Sequence, residues 1–379
     1  MTRKAMIGAA IFDGAALHED HALLLDGDEI AGIVARHAVP EAFATEALSG
    51  GTLLPGFVDL QVNGGGGVLF NDQTTVEGLA RIAAAHRATG TSAVLPTLIT
   101  DTPDKTAAAI DAVAQAMAER VEGIVGLHLE GPHLSLARKG AHAPSLIRPM
   151  TAADEAVLRD AAMRIANLML TVAPESVTPD QISRLSADGV VVSLGHTDCD
   201  YDTAMAAFEA GASCVTHLFN AMSPLESRAP GLVGAALRAG SVSAGLIADG
   251  IHVHPATMRA ALAAKNAPGG VFLVTDAMST VGSDIKEFTL NARRVLRRDG
   301  RLTLEDGTLA GADVTMPRAL SVLIGKVGVA PAQAYAMATS VPAALLRERG
   351  SFGHLTVGAR WSGVHLMPDD TRAARMDSR

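Results

Sequence analysis

Between residues 52 and 345 the chain alternates short apolar runs with helical patterns, and few architectures accept that rhythm. The runs are 53–62, 92–99, 123–130, 167–173, 189–196, 213–219, 242–249 and 270–276. Helical patterns fall between them, as at Val76–Thr89, Pro103–Arg120, Asp154–Ala162 and Pro255–Asn266. Eight strand-then-helix units predict an α/β chain closed into a TIM (β/α)8 barrel, with its chemistry at the C-terminal strand ends. The first fifty residues break the rhythm: "AMIGAAIFDG", "HALLLDGDEIAGIVA" and "GGTLL" read as short strands joined by Asp-Gly-type turns. The C-terminal "GHLTVGARWSGVHLMP" has similar character, so both termini are expected to build a small β-sandwich beside the barrel. The expected organisation is a small β domain from 1–51 and 350–379, with the barrel at 52–349. A hairpin insertion at 287–311, turning at "RRDG", is expected near the barrel mouth.

Composition narrows the function classes. Of 379 residues 48% are hydrophobic, enough for a large core. Only 19% are charged and the net charge is -9, which argues against a nucleic-acid face but leaves room for a local basic pocket. Two cysteines, Cys199 and Cys214, are too few for a disulfide framework and fit a reducing cytoplasm. The N-terminal apolar run is interrupted by Asp13 and Gly14 and makes no signal-peptide core. No run approaches the roughly 18 apolar residues of a membrane helix, so no membrane partner is expected.

The predicted strand ends carry the chemistry. Strand three ends in Glu130, strand five in His196, strand six in His217 and strand eight in Asp276. One Glu and two His from three strands are a three-ligand set with an open position, the pattern of a catalytic zinc, and a carboxylate from a fourth strand can handle protons. Each residue alone has a bland reading as a hydrogen-bonded structural group or a helix cap. Four at four strand ends point to a metal site. By strand alternation His217 is expected on the face of Ser213 and Val215, leaving Cys214 a buried thiol on the other face. Cys199 lies beyond its strand and is not expected to ligate. His128 shares a face with Glu130 and reads as a donor behind the ligands or as barrel packing. The run Gly64–Gly67 lacks the residues of a P-loop or dinucleotide fingerprint and reads as a turn.

The motifs "PGFVDLQVNGGGG", "GLHLEGPHLS", "KGAHAP", "LGHTDCD", "THLFNAMSP", "RAPGLVG", "ADGIHVHP" and "LVTDAM", taken in order, resemble the N-acetylglucosamine-6-phosphate deacetylase family of the amidohydrolase superfamily over nearly the whole chain. Many metal-dependent amide hydrolases end the first barrel strand in His-x-His. Here Gln61 and Asn63 stand there, and neither amide is a good zinc ligand. The resemblance implies a branch that keeps one divalent ion per subunit on Glu130, His196 and His217, zinc being expected with iron, cobalt and manganese as alternatives. Gln61 and Asn63 would then orient water, substrate or a ligand. It further implies that His142 polarises the substrate carbonyl and that Asn220 and Ala221 form a substrate-contacting turn. Arg228 and His252 are matched to phosphate contacts that come from the neighbouring subunit of a homodimer.

The expected reaction is hydrolysis of the N-acetyl group of a phosphorylated amino sugar, N-acetyl-D-glucosamine 6-phosphate, with Asp276 as general base and acid. Another amidohydrolase reaction, or a barrel kept as a binding or assembly protein, are the alternatives. The ending "GARWSGVHLMPDDTRAARMDSR" departs from the acidic, alternating close expected of the family.

Overall fold

The computed structural model describes residues 3–367 and the backbone of 373–375. Among them, parallel strands run side by side in an eight-stranded sheet: Phe57–Val62, Thr91–Ile99, Leu127–Glu130, Leu168–Val172, Val191–Leu194, Cys214–Val215, Ser243–Leu246 and Val271–Leu273. Each strand pairs with the next in sequence, as crossover helices require. The sheet curls until the eighth strand meets the first. There the ladder thins to one bridge, Val62 with Ala277, and to single bonds such as Asp276 N to Gln61 O at 2.9 Å.

The helices begin where their sequences say they should. Thr75, Thr102, Thr151, Thr178 and Asp200 each accept a bond from the amide three residues on, so an otherwise unpaired N–H of the first turn is satisfied. Pro103, Pro179 and Pro255 sit in first turns, where a missing N–H costs nothing. The observed helices Val76–Arg87, Pro103–Ala118, Ala152–Arg164 and Pro255–Ala264 match the expected ones to within two residues at most ends. Apart from the second, which runs one residue longer, the strands are shorter than their apolar runs, most of all the sixth, which pairs over Cys214–Val215 alone.

Both termini feed the flanking sheets. Val364–Leu366 pairs antiparallel with Thr52–Leu54 inside a five-stranded sheet, and a four-stranded sheet holds Arg3–Ile7, His21–Asp26, Glu29–Ala35 and Ala44–Ala47. Alternation gives the five-stranded sheet two apolar faces. Ile11 and Leu53 pack with Leu23, Leu25 and Trp361 between the sheets, whereas Phe12 and Leu54 pack with Phe57 and Phe272 on the barrel. Residues 52–54 thus belong to the flanking sheet, and the barrel proper starts after Pro55-Gly56. Part of the unusual C-terminal ending, 368–372 and 376–379, lies outside the described residues. The insertion is a three-stranded sheet, Glu287–Leu290, Arg293–Arg298 and Arg301–Leu304, rather than a hairpin. The additional turn is Asn291-Ala292, both left-handed, ahead of the expected turn at Asp299-Gly300. No helix among the described residues is long and apolar enough to cross a membrane.

Candidate metal centre

Glu130 is the last residue of the third strand, and its carboxylate projects into the barrel mouth. Its Oε1 lies 3.1 Å from His196 Nε2 and 3.1 Å from His217 Nε2, and the two nitrogens are 3.1 Å apart. All three residues are buried. His196 Nδ1 lies 2.8 Å from the carbonyl of Arg138, an acceptor only, so its hydrogen sits there and its Nε2 lone pair faces the triangle. A proton can bridge one edge of such a triangle; a divalent cation satisfies all three donors at once. Tetrahedral coordination at about 2.0–2.1 Å spaces ligands about 3.3 Å apart, close to the edges seen. The donor set therefore fits a catalytic metal.

The route of the two histidines to the mouth corrects the alternation argument. Val215 packs outward among the helices, while Cys214 and Thr216 face the barrel interior. His217 is not carried inward on the face of Val215. The strand has ended, and left-handed backbone at His217 (φ 29°) swings the ring into the mouth. His196 (φ 48°) and Asp276 (φ 50°) follow their strands in the same conformation. Such backbone is costly for a residue with a side chain, and its recurrence at the mouth marks geometry imposed by the site.

Asp276 stands across the triangle. Asn63 Nδ2 donates to its Oδ1 at 2.6 Å and Gln61 Nε2 at 3.3 Å, while the same Gln61 nitrogen lies 3.2 Å from Glu130 Oε1. The two amides, expected to orient water, substrate or a ligand, bond two of the protein's own carboxylates, the candidate ligand Glu130 among them. Asn63 Oδ1 is left buried without a partner among the described residues. Burial, reinforced by the nearby Glu130 charge, pushes the Asp276 carboxyl up to about 6. Burial acts the same way on Glu130, but the close approach of the two imidazoles, His196 and His217, more than reverses it and holds the carboxyl well below the usual range.

His142 closes another side. The Thr100 amide donates to its Nδ1 at 3.4 Å and the Thr100 hydroxyl lies at 2.7 Å, so the ring hydrogen falls on Nε2. Burial first, and His196 second, lower its pKa to about 3 and keep the ring neutral. A looser donor group of Glu130, His142 and His196 spans up to 4.8 Å. The 3.1 Å triangle with His217 matches coordination distances better, which leaves His142 as a hydrogen-bond donor to the cavity.

These groups line a cavity of about 380 Å³, together with Asn63, Asn220, Ala221 and His252. Asn220 Nδ2 donates to the carbonyls of His217 and Leu218, bracing a turn in which Ala221 is left-handed. His252 Nδ1 lies 2.6 Å from Asp249 Oδ2, and Asp249 also accepts the amides of Ile251 and His252. His252 therefore lines its own chain's cavity. Arg228 is exposed on the 222–230 loop and does not line it. The insertion supplies Leu290, Thr308, Leu309 and Gly311 to the rim, and its Arg293 donates to the carbonyl of Ala141, tying the insertion to the loop that carries His142.

Beneath the ligands runs a belt of buried polar groups. His128 Nε2 lies 2.7 Å from Thr171 Oγ1, which lies 2.7 Å from Thr216 Oγ1, which lies 2.7 Å from Ser193 Oγ; His128 Nδ1 is 3.3 Å from Thr97 Oγ1. His128 is thus interior packing with satisfied nitrogens and makes no bond to the triangle. Burial also pushes the Cys214 thiol up to about 12 and the Cys199 thiol to about 11, so neither is a thiolate near neutral pH.

Asp59, Asp249, Thr100 and Arg293 were not among the sequence-derived candidates. For Asp59 a signal was present, since a carboxylate inside the apolar strand "GFVDLQV", two residues before Gln61, has to be paired.

Residues 52–369 match the model of the Amidohydrolase family. This chain belongs to the amidohydrolase family. Among relatives within it, an N-acetylgalactosamine-6-phosphate deacetylase of Shewanella sp. is 44% identical over 327 residues, 86% of this chain and 81% of that protein. An N-acetylglucosamine-6-phosphate deacetylase of Haemophilus influenzae is 33% identical over 342 residues, 89% of this chain and 88% of that protein. The crystal structure of the Pasteurella multocida N-acetylglucosamine-6-phosphate deacetylase superposes with a TM-score of 0.91 at 33% identity, covering 98% of this chain and 97% of that one. A mutant of the Mycobacterium smegmatis enzyme, in complex with N-acetyl-D-glucosamine-6-phosphate, gives 0.91 at 31% identity, covering 100% and 98%.

Proposed function

We propose that the chain hydrolyses the acetamido group of an N-acetylhexosamine 6-phosphate, giving acetate and the free amino sugar phosphate, with N-acetyl-D-glucosamine 6-phosphate as the first substrate to test. The observation that carries this is the 3.1 Å Glu130–His196–His217 triangle facing Asp276 across one cavity. Relatives named for this activity supply the substrate class. A divalent ion held by the triangle, zinc by the donor set, supplies Lewis-acid chemistry: it acidifies water and draws electron density from a carbonyl oxygen.

The chain's own residues do the rest. His142, neutral and with its hydrogen on Nε2, donates to the acetyl carbonyl as charge develops there. Asp276, held by Asn63 and Gln61, takes the proton of the attacking water and returns it to the amide nitrogen, so that an amine leaves rather than an amide anion. No nucleophilic side chain is required, which accords with inert thiols at Cys199 and Cys214. The Asn220-Ala221 turn meets the sugar. His252, oriented by Asp249, serves the phosphate or an adjacent hydroxyl from within the chain, and Arg228, exposed on its loop, serves the phosphate of a partner's substrate in a homodimer. Two buried, reduced cysteines suit work in the cytoplasm.

The 44% identity to a protein named for the galactosamine epimer favours a second reading in which that epimer is preferred. Acetate release from both 6-phosphates by metal-loaded protein separates the readings. No release from either, with one ion bound per chain, would leave another amidohydrolase reaction or a binding role. Asp276→Asn should keep the metal and lose roughly a hundredfold in turnover.

A further inference from the structure

Asp59 is a fully buried carboxylate to which the mechanism above gives no task. It sits on the first strand, two residues before Gln61. Its Oδ2 lies 2.5 Å from the Thr275 hydroxyl, and its Oδ1 accepts the amides of Thr275 at 3.2 Å and of Gln61 at 3.3 Å. Thr275 immediately precedes Asp276. These bonds therefore cross the seam between the first and eighth strands, where the described backbone ladder is reduced to one bridge and a few single bonds.

The neighbourhood makes this placement consequential. Asp276 holds left-handed backbone (φ 50°), a conformation that an L residue keeps only when its surroundings over-determine it. On its C-terminal side the Ala277 carbonyl accepts the amides of Asn63 and Gly64, both at 2.9 Å. On its N-terminal side a side chain does the corresponding work: Asp59 takes both the N–H and the O–H of Thr275. We propose that Asp59 is a positioning residue for Asp276, its carboxylate fixing Thr275 across the barrel seam so that the next residue stays in the strained conformation that aims its carboxyl at the metal triangle. The same carboxylate holds the backbone of Gln61, so one group sets both the strained residue and an amide that orients it. This assignment rests on the reading of Asp276 as the proton-transfer group.

The test is a mutant cycle. Asp59→Asn keeps the shape but exchanges an acceptor oxygen for a donor facing the Thr275 hydroxyl. In the metal-loaded enzyme, assayed at alkaline pH where the Asp59 carboxyl is ionised, it should lower kcat by roughly ten- to a hundredfold, the scale of an ångström-level misplacement, with KM within about twofold. In an Asp276→Asn background the same change should lower the residual kcat by less than about twofold, because the group it positions has already lost its function. Thr275→Val should reproduce the loss and Thr275→Ser, which restores the hydroxyl, should recover most of it. These two variants decide the matter should Asp59→Asn fail to fold. Equal losses in both backgrounds would make Asp59 general scaffolding and overturn the proposal, as would an unchanged kcat. Amide hydrogen exchange of the peptide spanning residues 274–278 gives a readout independent of the substrate. It should quicken by about tenfold or more in Asp59→Asn and in Thr275→Val. Unchanged exchange sinks the proposal even if the enzyme acts on another substrate, and faster exchange in a chain inactive on both sugar phosphates would sink only the assigned reaction.

Discussion

Replacing Thr171 by valine removes one oxygen from the middle of the polar belt under the metal site while conserving side-chain shape. That oxygen lies 2.7 Å from His128 Nε2 and 2.7 Å from Thr216 Oγ1. Thr216 retains its bond to Ser193, so it is only partly deprived, whereas His128 Nε2 loses the hydroxyl that lies 2.7 Å from it. A buried polar atom left without a partner costs about 1–3 kcal/mol. Water cannot repair the loss: the interior cavity lined by His128, Ser193 and Thr216 holds about 10 Å³, at or below the room one water needs. The expected destabilisation is therefore about 1–3 kcal/mol. Thr171→Ser, which deletes a methyl and keeps the oxygen, should cost about 1 kcal/mol. Urea unfolding of the three proteins at matched metal load, read by midpoint at constant slope, measures both differences. Thr171→Val within 1 kcal/mol of the parent, or less damaging than Thr171→Ser, would refute the claim that the belt is held by its hydrogen bonds.

Other expectations can be checked together. Metal analysis should find one divalent ion per chain, and its removal by a chelator should lower the unfolding midpoint, with one equivalent of zinc restoring it; two tightly bound ions would contradict the triangle as the complete site. Burial raises Asp59 from 3.8 to about 7, despite the bonds from Thr275 and Gln61. The folded chain thus binds a proton there that the unfolded chain has lost, and this part of the stability falls as pH rises from about 4 to about 7. The stability of Asp59→Asn relative to the parent should improve over that window by something on the order of 4 kcal/mol, and a constant gap would show that Asp59 does not titrate there. Arg228→Ala should weaken a phosphorylated substrate far more than its unphosphorylated analogue, and mixing it with Asp276→Asn chains should restore roughly a quarter of full activity under random two-fold assembly. No recovery, with subunit exchange demonstrated, removes Arg228 from a partner's site.

Much of the site could be read from the chain because it lies at strand ends. Glu130 and Asp276 stand where an apolar run gives way to a turn, and in a parallel barrel every such place faces the same mouth. His196, His217 and Asp276 were legible by position but not by direction, since their orientation depends on left-handed backbone that no alternation rule contains. The belt was hidden for another reason. Thr97, Thr171 and Ser193 are ordinary strand residues one at a time and Thr216 follows the end of its strand, and only the register between neighbouring strands brings their hydroxyls into line. Asp59 offered a charge in an apolar strand but not its partner, because Thr275 lies 216 residues away. The third strand of the insertion was lost for want of a glycine: Asn291-Ala292 turns the chain with two residues, one of which rarely signals a turn.

The left-handed backbone at His196, His217 and Asp276 has a consequence for how such a barrel ages under selection. At each place glycine would adopt the same conformation without the cost of about 1 kcal/mol or more that a side chain incurs. A population screened for heat resistance without metal should therefore accumulate glycine at these three positions, and each step toward a sturdier apo-protein would remove a ligand or the proton carrier. In a lineage that no longer needs the reaction, the barrel would outlast its chemistry, and the first marks of that retirement would be glycines at the rim of an intact fold.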